Sequence, residues 1–488
     1  MTAVDTPRAK YLALALLAMT QFVVVLDAAI VNVALPSIGQ ALDFSQDNLA
    51  WVVNAYTLTF GGFLLLGGRL ADLLGRRKLF MIGLVVFSIA SLLGGLAQSE
   101  AWLIGARALQ GLGAALISPA ALSIVTNTFS EGAERNRALG VWGAVAGSGG
   151  AAGVLLGGVL TEYLGWEWVL FVNVPIGVAA ALLAPRLLAE SHDEAAERSF
   201  DIGGAVSVTA GLSLLVYTLV DANTSGWGST KTIVLGALSL LLLAAFVVIE
   251  RRHRQPLVPF SIFRMRTIRG ANIVALLIGM SLFSMFFFIS LYMQQVLGYS
   301  ALKTGIAYLP LALVIIFSAG GASALVTRIG FKTTLIIGML FITAGLLWFA
   351  QVPAHGGTYV GDVLFPSILA AIGLGFAFVP VTIAAVTGIR PDQAGLASGL
   401  VNTAQQVGGA LGLAILVAVA NGATSSAVSD GVGRATALTQ GFQDAFLVGA
   451  GFAFVGAILA ATLISSRDAR EHAEAARRGD AAVTAVAA

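Results

Sequence analysis

The 488 residues have a mean hydropathy of +0.90, only 11% charged residues and 57 glycines, which exclude an ordinary soluble domain and imply a polytopic helical membrane protein. Cysteine is absent, so a disulfide framework, a thiolate metal site and a cysteine nucleophile are excluded. The net charge of +2 says little as a sum; its distribution along the chain says more.

Apolar runs able to cross about 30 Å of hydrocarbon fall near 12–35, 49–68, 79–98, 101–125, 138–160, 168–188, 202–221, 232–250, 270–293, 304–325, 334–352, 359–381, 396–420 and 441–464. These runs lack the strict alternation of a membrane barrel, so they predict fourteen transmembrane helices and an all-α polytopic membrane protein. The first run follows Arg8 and Lys10 and is longer than the apolar region of a cleaved signal peptide, so it is expected to stay as helix 1. No connection is long enough for a second soluble domain, which confines any chemistry to the helices and their short loops.

With the N-terminus inside, 23 of the 27 Lys and Arg residues fall on the cytoplasmic side. Lys231, Lys303 and Arg434 fall outside, and Arg107 lies within a span. This asymmetry predicts a multi-pass protein of the cell (inner) membrane with both termini cytoplasmic. Six tryptophans, Trp51, Trp102, Trp166, Trp168, Trp227 and Trp348, fall near the predicted outer boundary, where amphipathic rings prefer to sit.

A weak internal repeat is visible. The loop after helix 2, Gly68–Lys78 (GRLADLLGRRK), matches the loop after helix 10, Ser323–Thr333 (SALVTRIGFKT), at Leu70/Leu325 and Gly75/Gly330. Gln110–Ala114 (QGLGA) of helix 4 matches Ile372–Phe376 (IGLGF) of helix 12. Two pseudo-symmetric six-helix bundles follow, at residues 1–190 and 270–465, with the functional site expected between them. Residues 191–269 then form two inserted helices and a basic cytoplasmic linker, in which Phe260, Ile262 and Phe263 among arginines suit the inner leaflet, and residues 466–488 form a cytoplasmic tail.

Two charges lie inside the spans. A carboxylate in hydrocarbon is costly enough to need a reason, and Asp27 in helix 1 is such a residue; taking up and losing a proton is one reason. Arg107 in helix 4 lies roughly 9 Å below the outer boundary and Asp27 roughly 12 Å below it, at 1.5 Å per residue, so the two share a depth. Helix 5 carries small residues four apart, Gly143, Gly147, Gly149, Gly153 and Gly157, which permit the close backbone approach that a rocking interface between bundles needs.

Several stretches in order resemble the fourteen-helix drug:proton antiporter branch of the major facilitator superfamily. They are Leu26–Pro36 (LDAAIVNVALP), Gly68–Lys78, Leu103–Ala115 (LIGARALQGLGAA), Trp166–Gly177 (WEWVLFVNVPIG) and Arg390–Gly399 (RPDQAGLASG), and the likeness covers nearly the whole chain. The resemblance implies that helices 1 and 4 line a central cavity, so that Asp27 and Arg107 are expected to interact, directly or through a water or a polar side chain, as the proton-coupling pair. It implies that helix 5 is the antiporter helix. In the Gly68–Lys78 segment, Asp72 and Arg76, with Gly68 and Gly75, are expected to bond a neighbouring helix end and lock the inner gate in the outward-facing state, the alternative for its basic residues being positive-inside anchoring. Two departures stand out: Val154 where the family usually has proline, and Glu167 where it commonly has arginine.

For substrate contacts the candidates are Asn32 and Tyr56 in the first bundle and Asn272, Phe283, Phe287, Tyr292, Asn402, Gln405 and Gln406 in the second. Aromatic and methionine side chains make adaptable walls for an amphipathic small molecule. The expected function is a proton-coupled exporter of drug-like or secondary-metabolite molecules working by alternating access. The alternative is a proton symporter or facilitator importing a small nutrient. No cofactor beyond the proton gradient, no metal and no nucleic-acid partner is expected. His192, His253, His355 and His472 fall in loops or the tail and no P-loop occurs, which argues against a membrane enzyme or an ATP-driven pump.

Overall fold

The computed structural model describes residues 7–129, 133–190, 201–253, 256–258, 260–389 and 394–478. Helix α1 spans Pro7–Ala41, α2 Trp51–Leu74, α3 Arg76–Gly95, α4 Glu100–Thr128 and α5 Ala133–Tyr163; α6 spans Asn173–Leu187 after the single turn Trp168–Phe171. Helices α7, Ile202–Ser225, and α8, Thr230–Arg252, follow. Next come α9, Arg266–Leu291, continued by a wider turn to Val296, α10, Ala301–Ile329, and α11, Phe331–Phe349. Helix α12 starts in a wider turn, Tyr359–Leu364, and runs as Phe365–Val386; α13 is Ala394–Ser429, α14 Arg434–Leu463 and α15 Ser466–Arg478. Thirteen of these are long and apolar enough to cross a membrane, and α5, at 31 residues, fills the remaining place in the predicted order. No strand occurs among the described residues. The helices overrun the predicted apolar runs at their ends because the helical hydrogen-bond ladder continues past the hydrocarbon: α13 reaches Ser429, against a predicted end at 420.

Segment 191–200, residues Arg390–Gln393 of the last motif and the tail past Arg478 lie outside the described residues.

The two halves repeat one packing plan. In the first half α1 packs along α5, α2 and α3 along α4, and α3 along α6; in the second α9 packs along α13, α10 and α11 along α12, and α11 along α14. The loops after α2 and α10 turn on glycines with positive φ, Gly75 at 104° and Gly330 at 83°, a conformation that glycine enters without a Cβ penalty. The register of the repeat in α4 and α12 differs from the QGLGA/IGLGF match. A Cβ on Gly113 would lie 2.7 Å from the Phe87 nitrogen and one on Gly373 would lie 2.5 Å from the Ile342 nitrogen. Gly113 and Gly373 are therefore counterparts, two residues away from the pairing that the strings suggest.

The halves meet along α2 with α13 and α5 with α10. The start of α1 and the end of α14 lie at one end of the bundle, here the terminal face, opposite the distal face. At the distal face a Cβ on Gly158 would lie 2.8 Å from the Ala301 oxygen, and one on Gly305 would lie 2.6 Å from the Val154 oxygen. There, too, Ser290 Oγ donates to the Asn32 carbonyl at 2.7 Å and Gln294 Nε2 to the Val33 carbonyl at 3.0 Å, tying α1 to α9. Core residues at this end, such as Ile30, Val31, Phe287 and Tyr292, join both halves in one apolar cluster. Near the terminal face, Leu14, Leu17, Leu79 and Leu188 belong to a cluster of the first half alone. The inserted α7 docks on α2 and α13 through Leu212, Val216, Leu58 and Ala410, and α8 packs on α7.

Close packing in α4 and α12 is testable with an open position of α4 as the control. Overpacking costs about 1–3 kcal/mol, so Gly113→Val and Gly373→Val should each lower the melting temperature of the purified protein. Gly105→Val, where an added Cβ meets nothing within 4 Å, should leave it unchanged.

Candidate functional site

The interior charges meet inside the first half. Asp27 is fully buried and Arg107 is 1% exposed. Arg107 Nη1 donates to Asp27 Oδ2 at 2.6 Å and to Gln110 Oε1 at 2.6 Å, while its Nε donates to the Val52 carbonyl at 2.9 Å. The Tyr56 ring lies under the guanidinium with 4.4 Å to its centroid. The second carboxylate oxygen, Oδ1, accepts from Gln110 Nε2 and from Asn173 Nδ2, each at 2.7 Å. Gln110 Nε2 also donates to Ser91 Oγ at 2.8 Å. Burying a charge pair is costly unless the remaining lone pairs are also satisfied, and here amides from α4 and α6 satisfy them.

Local structure explains the convergence. Arg107 and Gln110 sit three apart on α4 and so share a face. Asn173 opens α6, where the chain bends back toward α1. On the other side of α1, the glycines of α5 keep a four-residue step against it. Added Cβ atoms would lie 2.9 Å from the Phe22 oxygen at Gly149, 2.8 Å from the Leu26 oxygen at Gly153 and 2.7 Å from the Ile30 oxygen at Gly157. Helix α1 is thus held by backbone contact with α5 on one side while Asp27, beside Leu26, reaches α4 and α6 on the other.

This geometry corrects two expectations. The Gly149/Gly153/Gly157 ridge packs within the first half, and the contact with the second half passes through Val154 and Gly158 instead. Nor does Asp27 border an open cavity between the halves: it is fully buried in this conformation, where Gln110, Asn173, the Val52 carbonyl and the Tyr56 ring surround the pair. The surroundings of Gly143 and Gly147 lie outside the described residues.

The other sequence candidates separate into groups. Tyr56 is 1% exposed, its hydroxyl donating to the Val24 carbonyl at 3.3 Å, so it packs the ion pair. Phe287 and Tyr292 are buried in the distal cluster, with Tyr292 Oη donating to the Pro353 carbonyl at 2.9 Å. Asn272 is buried and donates to the Ile268 carbonyl one turn back at 2.9 Å. Asn32 likewise bonds the Ala28 carbonyl at 3.1 Å and is partly exposed. Phe283, which covers Gly409, and Asn402, Gln405 and Gln406 on α13 are also partly exposed.

The predicted loop Gly68–Lys78 is helical except at Gly75: Gly68, still within α2, faces Pro119, and the backbone nitrogens of Arg77 and Lys78 at the start of α3 each donate to the Glu190 carboxylate at 3.1 Å. Gly75 leaves room for that carboxylate. Arg76 is partly exposed at the start of α3, and the side chain of Asp72 lies outside the described residues. Sequence reasoning missed Gln110, Asn173 and Glu190. Gln110 carried a usable signal, its three-residue spacing from Arg107.

Comparison with known proteins decides the family. The model of the Major Facilitator Superfamily matches residues 17–413. The chain belongs to that superfamily. It is a membrane transporter, not an enzyme. It is 41% identical over 467 residues to the puromycin resistance protein pur8 of Streptomyces alboniger, covering 94% of this chain and 92% of that one. It is 42% identical over 453 residues to the cephamycin export protein CmcT of Amycolatopsis lactamdurans, covering 92% of each. Among solved structures, a bacterial homolog of the human lysosomal transporter Spinster, inward-facing and unoccupied, superposes with a TM-score of 0.69 at 16% identity, covering 96% of this chain and 99% of that one. At that identity the likeness concerns the fold.

The cluster makes a stability prediction. Removing one member of a buried ion pair costs about 3–5 kcal/mol, because the other is left uncompensated. Arg107→Met alone should therefore destabilise the purified transporter strongly, and Asp27→Asn with Arg107→Met should recover most of the loss. Equal melting temperatures for the single and double variants would contradict an ion pair.

Proposed function

We propose that this transporter exports a drug-like or secondary-metabolite small molecule in exchange for protons, from a cell (inner) membrane with both termini in the cytoplasm. The carrying observation is the buried Asp27–Arg107 pair with its amide partners, a costly arrangement in lipid that marks a functional site. The names of the relatives, a puromycin resistance protein and a cephamycin export protein, support the substrate class and the outward direction. The distribution of Lys and Arg supports the orientation.

On this reading the structure is closed toward the outside. Opening there separates Ser290 from the Asn32 carbonyl and Gln294 from the Val33 carbonyl, and frees the Val154 and Gly158 contacts with α10. Asp27 lies five residues below Asn32 on α1, so release of this end unseals the carboxylate to outside protons. Proton binding removes the negative partner of Arg107 and turns an acceptor oxygen toward donation, in conflict with the Gln110 and Asn173 amides that donate to it. The cluster must then rearrange, and because it ties α1, α4 and α6 together, the rearrangement moves the half as a unit. The partly exposed Asn32, Phe283, Asn402, Gln405 and Gln406 offer amides and an aromatic wall to an amphipathic substrate.

Efflux from an expressing, pump-deficient host tests this. Wild-type chain should lower accumulation of at least one antibiotic, and a protonophore should abolish the effect. Asp27→Asn, with efflux normalised to the amount of variant in the membrane, which the uncompensated Arg107 lowers, should fail to pump against a gradient. Undiminished uphill efflux by Asp27→Asn would reject proton coupling at this residue, and proton-driven accumulation in place of efflux would favour import.

A further inference from the structure

Asp201, Glu250 and Asp27 are the buried carboxylates among the described residues, and the first two meet at the terminal end of the inserted hairpin. Asp201 caps α7, its Oδ1 accepting from the Gly204 nitrogen at 2.6 Å. Glu250, in the last turn of α8, accepts from the Val258 nitrogen at 2.9 Å through Oε2. Asp201 is 2% exposed and Glu250 3%. Their other oxygens, Asp201 Oδ2 and Glu250 Oε1, are buried with no hydrogen-bond donor. They converge on one point: a Cβ on Gly204 would lie 2.6 Å from Oδ2 and 2.7 Å from Oε1. Around them Leu66 of α2, Ala205 of α7 and Leu257 of the linker form an apolar cluster. Among the described residues, the charged groups on the elements packed here are Arg69 on α2 and Arg251, Arg252 and His253 at the end of α8. None donates to the two converging oxygens.

Two ionised carboxylates facing each other without a donor are mutually destabilising, and one proton between them replaces that repulsion with a charge-assisted hydrogen bond. A divalent cation fits poorly, since calcium takes six to eight oxygen ligands and only two converge among apolar walls. We propose that Asp201 and Glu250 share one proton, a second protonation site separate from Asp27, and that this proton fastens the linker leading into the second half to the inserted hairpin. The link is direct: the Glu250 carboxylate that meets Asp201 also holds Val258, and Leu257 packs on α2 beside it. Loss of the proton leaves two like charges face to face. Glu250 then swings away and releases Val258 with it. Because α2 leads into the turn at Gly75 and packs on α13, this clasp would tune the contact between the halves. The inference does not depend on what is transported.

Trypsin cleavage at Arg251 and Arg252 in the full-length protein in lipid nanodiscs, compared at each pH between wild type and variants, tests the clasp. Wild type should be protected at acidic pH and cleaved several-fold faster at alkaline pH. Glu250→Gln, whose amide still donates to Asp201, should stay protected throughout. Infrared spectra at neutral pH should show a protonated-carboxyl band that Glu250→Gln and Asp201→Asn each remove. The proposal is overturned if wild-type protection is independent of pH, if Glu250→Gln follows wild type, or if the band survives both substitutions. Protection that requires added magnesium or calcium would equally overturn it in favour of a cation.

Discussion

The first half of this transporter is organised by the need to hold one negative charge where there is no water. A lone carboxylate in hydrocarbon is costly, and pairing it with Arg107 is not sufficient, because two desolvated ions repay their burial only when the remaining donors and acceptors are also met. That requirement recruits Gln110, Ser91, Asn173 and the Val52 carbonyl, and with them α2, α3, α4 and α6. Glycine in α5 is the complementary constraint. Without Gly149, Gly153 and Gly157, α1 would stand off from its neighbour and Asp27 would be displaced from its partners.

The cluster lies in one half, not on the axis between the halves, and that placement bears on how it could act. A group lodged between halves is exposed by any opening. One sealed inside a half is exposed only when its own helices shift. Here α1 belongs both to the cluster and to the distal contact with α9, so breaking the distal contact and unsealing the carboxylate are movements of one helix. The Asn32 and Val33 carbonyls that accept from Ser290 and Gln294 lie within two turns of Asp27.

Much of this was legible in the chain. Hydropathy alone located fourteen spans, and two charges at matching depth in helices 1 and 4 predicted the pair that the structure joins at 2.6 Å. The rest was hidden for definable reasons. Gln110 and Asn173 are uncharged, so a hydropathy scan passes over them, although amides are what a buried carboxylate requires. Asp201 and Glu250 fall at span ends, where an acid ordinarily faces solvent, and only tertiary packing of the linker buries them. The glycine ridge was recognisable as a close-contact strip, but sequence spacing does not say which neighbour a strip faces. The repeat in α4 and α12 was read two residues out of register because a short glycine string recurs by chance more readily than a packing contact does.

The corrected register shows what the second half lacks. Gly153 faces Leu26 on α1 as Gly412 faces Met280 on α9, which makes Ser281 the counterpart of Asp27. The shift that pairs Gly113 with Gly373 likewise sets Ser367 opposite Arg107 and Ala370 opposite Gln110. Ser281 Oγ bonds the Leu277 carbonyl at 3.0 Å and the Gly449 carbonyl of α14 at 3.2 Å, a neutral link between the elements that match α1 and α6. The same scaffold therefore closes without charge in one half and around an ion pair in the other. Packing alone does not require the pair, since a hydroxyl serves in its place where no carboxylate is present. The cost of burying Asp27 and Arg107 is then a cost borne for something other than the fold.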